Sequence, residues 1–145
     1  MRVILAFVLI GLLTGFIVNF FFADKDGDFS RITIENNTWN IEVAESLKDR
    51  IKGLSGRNNL KKDSGMLFIF SGSDFHSIWM KEMNFPIDIV WIDKNFKVVG
   101  LKNVAKPESY PEIFKPQSPA RYVLEISAGE AKRAKIKIDS TVKIF

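Results

Sequence analysis

Four ionisable side chains stand where packing alone does not call for a charge: Arg57, Lys81, Asp88 and Glu125. Asp88 interrupts the apolar run that opens at Pro86-Ile87, and Glu125 interrupts residues 122–126. A carboxylate in such a run either lies on a solvated strand face or is held by a cation in a pocket. Alternation alone favours the solvated face. Arg57 and Lys81, each beside a turn-like segment, could supply the cations, so the four form a candidate polar ligand site. Asp88 or Glu125 could instead act as the base of an envelope hydrolase or lyase. No nucleophile–base pair and no phosphate-binding glycine loop accompanies them, which places binding ahead of catalysis and leaves the catalytic residues unknown.

Two metal readings compete with this one. His76, Met80 and Met83 stand close in sequence, and imidazole with thioethers is a soft set that selects Cu(I). Met is also a common filler of core gaps, which is the simpler reading. Residues 24–35 resemble a calcium loop, with Asp24, Asp26, Asp28 and Glu35 at ligand positions. The sharp turn of such a loop needs glycine where Phe29 stands, and the alternation after Arg31 is that of a strand. An acidic tether is the expectation there, and no metal or other cofactor is expected. The chain has no cysteine and one histidine. Disulfides, thiolate zinc sites, thiol catalysis and sites that need two histidines are thereby excluded.

Charge names no partner. The 145 residues carry a net +4, and the basic residues are interspersed except for Lys132, Arg133, Lys135 and Lys137. That cluster reads as a solvated face, so no nucleic acid is expected. Trp79 and Trp91 read as core aromatics.

The elements that must position these groups fall into two parts. Of the first 22 residues 17 are apolar, and residues 3–22 carry no charge. As a helix such a run spans about 30 Å, the hydrocarbon thickness of a bilayer. It ends on Phe20-Phe21-Phe22, where signal cleavage would want small residues, so residues 1–23 read as an uncleaved transmembrane anchor. Met1-Arg2 is positive and Asp24-Lys25-Asp26 net negative, which places the rest of the chain in the periplasm or outside the cell. Residues 24–30 form an acidic linker, and residues 31–145 a small domain.

That domain reads as mainly β. A hairpin is expected over residues 32–43, turning at Asn36-Asn37. Ser46 caps a short helix whose Leu47, Ile51 and Leu54 form an inward stripe. Strands follow at 65–70, 76–80, 87–92, 96–101 and 122–126, with a proline-rich loop at 104–120. A second helix at 129–134 and a final strand pair around Asp139-Ser140 complete the chain. The expected fold is a small antiparallel β-barrel-like domain with two short helices.

The order of short motifs resembles a prokaryotic family catalogued as domain of unknown function 192. These are Gly53-Leu54-Ser55-Gly56-Arg57, Gly65-Met66-Leu67-Phe68, Trp79-Met80-Lys81, Pro86-Ile87-Asp88-Ile89-Val90, and Tyr122-Val123-Leu124-Glu125 followed by Ala128-Gly129. The resemblance covers about residues 32–142. It implies a compact, mainly β domain, often exported or membrane-tethered, with Arg57, Lys81, Asp88 and Glu125 as matching polar positions. The chain departs from the family at Glu82-Met83, where Asn-Thr is usual, and at Asp139-Ser140, where Gly-Asp is usual. The reading that results is a ligand- or partner-binding module held at the membrane by residues 3–22.

Overall fold

The structure, a computed structural model, describes residues 29–145. The expected anchor and the aspartates of the calcium-like loop lie outside the described residues. Glu35, the last member of that loop, is an exposed residue in a hairpin turn, with φ at 54°.

Alternating burial of Ile32 and Ile34 makes β1 (Arg31–Ile34) a strand, and the turn at Glu35-Asn36 returns it antiparallel into β2 (Asn37–Ala44). Ser46 then caps α1 (Leu47–Lys52), its Oγ accepting the Asp49 N–H at 3.1 Å. The helix does not pack the expected stripe. Leu54, just beyond it, is buried, whereas Leu47 and Ile51 are exposed. The helix is instead fastened by Arg50, whose guanidinium donates to the Ile69 carbonyl at 3.0 Å and to the Glu45 carbonyl, and lies 5.0 Å from the Phe70 ring.

The segment containing α1 is a crossover, so β3 (Ser64–Asp74) joins β2 in parallel, with Ile41 opposite Gly65. The fold is expected to be mostly antiparallel, and β2–β3 is its parallel exception: parallel neighbours need such a connection, which no local pattern declares. The remaining long strands are β5 (Ile87–Ile92), β6 (Val98–Ala105) and β8 (Ala120–Ser127), with the short edge strand β9 (Val142–Ile144). The expected final strand pair is this one strand, because residues 137–140 turn back on themselves through Ser140 N–H to the Lys137 carbonyl at 3.0 Å. The sheet order is β6-β5-β8-β3-β2-β1-β9.

The sheet curls until its two edges touch. Lys97 and Thr141 form an antiparallel bridge, and the Val142 N–H donates to the Phe96 carbonyl at 2.9 Å. The result is a half-barrel with two cores. The inner core takes side chains from all seven strands, among them Ile32, Trp39, Leu67, Val90, Leu124 and Val142, and is plugged by Ala131 and Ala134 around α2 (Glu130–Arg133). The outer core holds Met66, Phe68, Ile87, Ile89, Trp91 and Val123. It is roofed by Leu54, by Met80, and by a separate ribbon of β4 (Ile78–Trp79) and β7 (Ile113–Phe114). Only two residues of the expected strand at 76–80 are extended, because that segment serves as roof. A side chain in the middle of the sheet is therefore buried whichever way it points.

β3 and β8 approach closely at Gly65. A Cβ there would lie 2.8 Å from the Glu125 carbonyl oxygen and 2.9 Å from Ile126 Cγ2. Only glycine lets the two strands pair at this level, which sets the position of the Glu125 backbone.

Candidate functional site

Register decides where each candidate side chain points. Ile89 lies opposite Glu125 on one side and Met66 on the other, so the Glu125 carboxyl enters the outer core. Asp88 lies opposite Ile126 and projects to the inner side. Both residues are buried, on opposite faces of one sheet.

Asp88 is fully occupied. Its Oδ1 accepts the Val104 N–H at 2.8 Å, and its Oδ2 accepts the Ala131 N–H at 2.8 Å. Val104 sits in a bulge where two residues of β6, Asn103 and Val104, oppose Asp88 of β5, with φ at 51°, an unfavourable conformation for a β-branched residue. The carboxylate thus pins a strained bulge and the start of α2 at once.

Glu125 is the opposite case. It is 5% exposed, and no hydrogen bond to its carboxyl group is found among the described residues, though its oxygens are not wholly enclosed: the one enclosed, unpaired side-chain polar atom among those residues is Arg121 Nε. Burial without compensation pushes its pKa up to about 8, so it is a neutral acid at neutral pH. It forms part of the lining of a cavity of about 80 Å³. The other lining comes from Phe68 on β3, the α1 exit at residues 50–55, and Ser77, Ile78, Trp79, Lys81 and Met83.

Two of the sequence motifs are sewn together to build this cavity. Ser55 Oγ donates to the Lys81 carbonyl at 3.0 Å, the Gly56 N–H donates to the Glu82 carbonyl at 2.9 Å, and Asn84 Nδ2 donates to the Arg57 carbonyl at 3.0 Å. Gly53 ends α1 with φ at 46°, and a Cβ there would crowd Phe68 Cζ at 3.2 Å. On the far wall, the Trp91 Nε1–H donates to the His76 carbonyl at 2.8 Å and holds the segment leading to Trp79.

Of the four polar candidates, the structure therefore brings together Lys81 and Glu125. Asp88 is on the other face. Arg57 is turned away into a bidentate pair, Nη1 and Nη2 each 2.7 Å from the two Glu42 oxygens. The hydrogen bond from Arg57 holds the Glu42 carboxyl below its usual range, and the same bond raises the guanidinium's pKa. The copper candidates are also put to other uses. Met80 is buried in the outer core with Met83 packed against it, and His76 stacks on Phe70 at 3.6 Å while its Nε2 meets the Gly72 carbonyl at 3.0 Å.

Other wall residues were not legible as such. Trp79, read as core, is 52% exposed; it meets Tyr110 edge-on at 6.0 Å and has the Lys81 ammonium 5.9 Å from its ring. Trp91 is buried, as expected. Arg50, Lys52 and Ser55 gave no signal beyond their place in a helix and its exit. Glu42 could have been found, since it is a polar residue on the same face of β2 as Ala44.

The sequence profile of DUF192, described as Uncharacterized ACR, matches residues 30–144. No curated protein matches the chain significantly. Two solved structures are similar. A protein of unknown function from Novosphingobium aromaticivorans DSM 12444 is 26% identical, with a TM-score of 0.74 over 78% of this chain and 83% of that one. A candidate transcription regulator from Sinorhizobium meliloti 1021 is also 26% identical, with a TM-score of 0.73 over 83% of this chain and 98% of that one.

Proposed function

The chain belongs to the DUF192 family, and from that premise we propose that it is a membrane-tethered binding module that takes a small ligand at the pocket floored by Glu125. Residues 3–22 provide the tether and the domain faces the periplasm or cell exterior.

The observation that carries the reading is the contrast between the two buried carboxyls. Asp88 has two backbone N–H groups on it, as a structural carboxylate should. Glu125 has none among the described residues and borders a cavity. A carboxyl with no protein partner at the edge of a cavity offers a hydrogen bond that a ligand can take up. Catalysis by the two carboxyls together is not available, because the sheet separates them. A role on DNA, as named for the Sinorhizobium protein, finds no recognition helix among the described residues: α1 has 6 residues and α2 has 4. In the basic cluster near the C-terminus, Arg133 is already paired with Glu130 at 2.8 Å.

The test uses the whole chain in neutral detergent micelles, with thermal unfolding followed by tryptophan fluorescence against a panel of small polar compounds. A stabilising compound whose effect disappears in Glu125→Leu or Lys81→Ala supports the pocket. A panel that leaves both wild type and variants unmoved counts against it. Placement is tested separately. The chain has no cysteine, so Ser73→Cys introduces one thiol at an exposed position. Labelling of intact cells by a membrane-impermeant maleimide is expected, and labelling only after lysis overturns the outward orientation.

A further inference from the structure

The chemistry of the pocket names its occupant more closely, on the basis of the binding role just proposed. Its ionisable lining is Arg50, whose guanidinium also holds the Glu45 and Ile69 carbonyls, the exposed Lys52 and Lys81, and Glu125 as the one carboxyl. The rest is Phe68, Leu54, Ile51, Ile78, Met83 and Trp79, together with Ser55, Ser77 and the backbone of Gly53. A cationic ligand would have to pass three like charges. A neutral one would leave them unused. At about 80 Å³ the cavity admits a few waters or one small planar group.

We infer that this pocket takes a small carboxylate, whose charge faces the Arg50, Lys52 and Lys81 wall and whose oxygen accepts a hydrogen bond from the Glu125 carboxyl group at the floor. An ionised Glu125 would repel the same ligand, so capture requires the proton to be in place. Burial keeps it there up to about pH 8. An acid–carboxylate hydrogen bond is among the stronger kinds, with O···O of about 2.5–2.7 Å.

The charged groups packed around Glu125 are few. From α1 and its exit come Arg50 and Lys52, and from the segment after β4 comes Lys81. From β3 and β5 the residues opposite it are Met66 and Ile89, which do not titrate. One strand further out on either side stand Glu42, neutralised by Arg57, and Lys102, which lies 4.5 Å from the Phe114 ring. Among the described residues no second acid lines this pocket. Acetate affinity should therefore be flat from about pH 6 to pH 8, where acetate is ionised and Glu125 is not, and fall about tenfold per pH unit above it, as Glu125 ionises.

The experiment is an NMR titration of the full chain in dodecyl maltoside micelles with three small probes of different charge: acetate, acetamide and methylammonium. Acetate at pH 6.5 is expected to shift the Trp79 indole, Ser55 and Phe68 signals saturably, and to lose more than tenfold in affinity by pH 9.5. Glu125→Gln keeps an N–H donor at the floor, so it should bind acetate without that pH dependence. Lys81→Ala should weaken acetate at every pH. Acetate binding that is unchanged at pH 9.5 overturns the role of the Glu125 proton. If acetamide or methylammonium binds at these residues as well as acetate does, the carboxylate inference is overturned while the pocket itself stands. If none of the three moves these signals, both the inference and the pocket reading fall.

Discussion

Asp88 and Glu125 lie on neighbouring strands of one sheet and point to opposite sides of it. Ile89, the residue after Asp88, is the one that faces Glu125 across the ladder. Side chains alternate strictly along a strand, so this one-residue offset sends one carboxyl to the inner core and the other to the outer. Their chemistry diverges accordingly. Asp88 is an ionic clamp between a bulge and a helix, and Glu125 is an unpaired acid beside a cavity.

Asp88→Asn should be destabilising by about 2–4 kcal/mol. An amide can accept only through its single oxygen, so one of the two N–H groups at 2.8 Å is left facing an NH₂ donor in a buried place. Urea denaturation measures it. A loss below about 0.5 kcal/mol would show that the clamp is not holding the bulge and α2 together.

Arg57 and Glu42 should matter far less to stability. Their side chains are 35% and 61% exposed, so despite the bidentate geometry the pair should be worth at most about 1 kcal/mol. A double-mutant cycle with Arg57→Ala and Glu42→Ala should give that coupling at low salt and lose most of it at 1 M salt. Because the folded Glu42 carboxyl is held below its ordinary value, its contribution is present above that value and is lost as pH falls through the lowered one. A coupling that survives high salt unchanged would contradict the exposed placement of the pair.

Much of the fold was legible from local pattern. Alternation at Ile32, Ile34, Trp39 and Ile41 marks the first hairpin, and Ser46 with Asp49 marks the first helix. What was not legible is what depends on distant partners. The parallel pairing of β2 with β3 follows from the path of a crossover. The exposure of Leu47 and Ile51 follows from Arg50 taking over the anchoring of α1. For the site, the interruption of apolar runs singled out Asp88 and Glu125, yet alternation favoured a solvated face for each. Both faces are covered, because Met80 and the β4–β7 ribbon roof the outer one, and a strand carries no local mark of a roof supplied from elsewhere. The same roof puts Trp79 at the pocket wall, where its ring is half exposed, and not in the core.

The proton on Glu125 also shapes stability. The folded pKa of about 8 stands above the ordinary glutamate value of 4.5, so between those values the native state holds a proton that the unfolded state has released. Stability must then fall as pH rises through that window, at up to about 1.4 kcal/mol per unit, and level off above it. Measured against Glu125→Gln, which has no proton to lose, wild type should lose on the order of a few kcal/mol between pH 5 and pH 9. Parallel pH profiles for the two proteins would mean that Glu125 titrates alike in both states.

The most direct test of the account is the titration of Glu125 itself. A ¹³C-labelled glutamate Cδ signal, assigned by its absence in Glu125→Gln, can be followed in the full chain in micelles from pH 4 to pH 10. A midpoint well above the ordinary glutamate range, near 8, is the expected result, since burial penalises the charged form of this acid at the floor of the pocket. A midpoint near 4.5 would show a solvated or hydrogen-bonded carboxylate, and would contradict the proposed site at its centre.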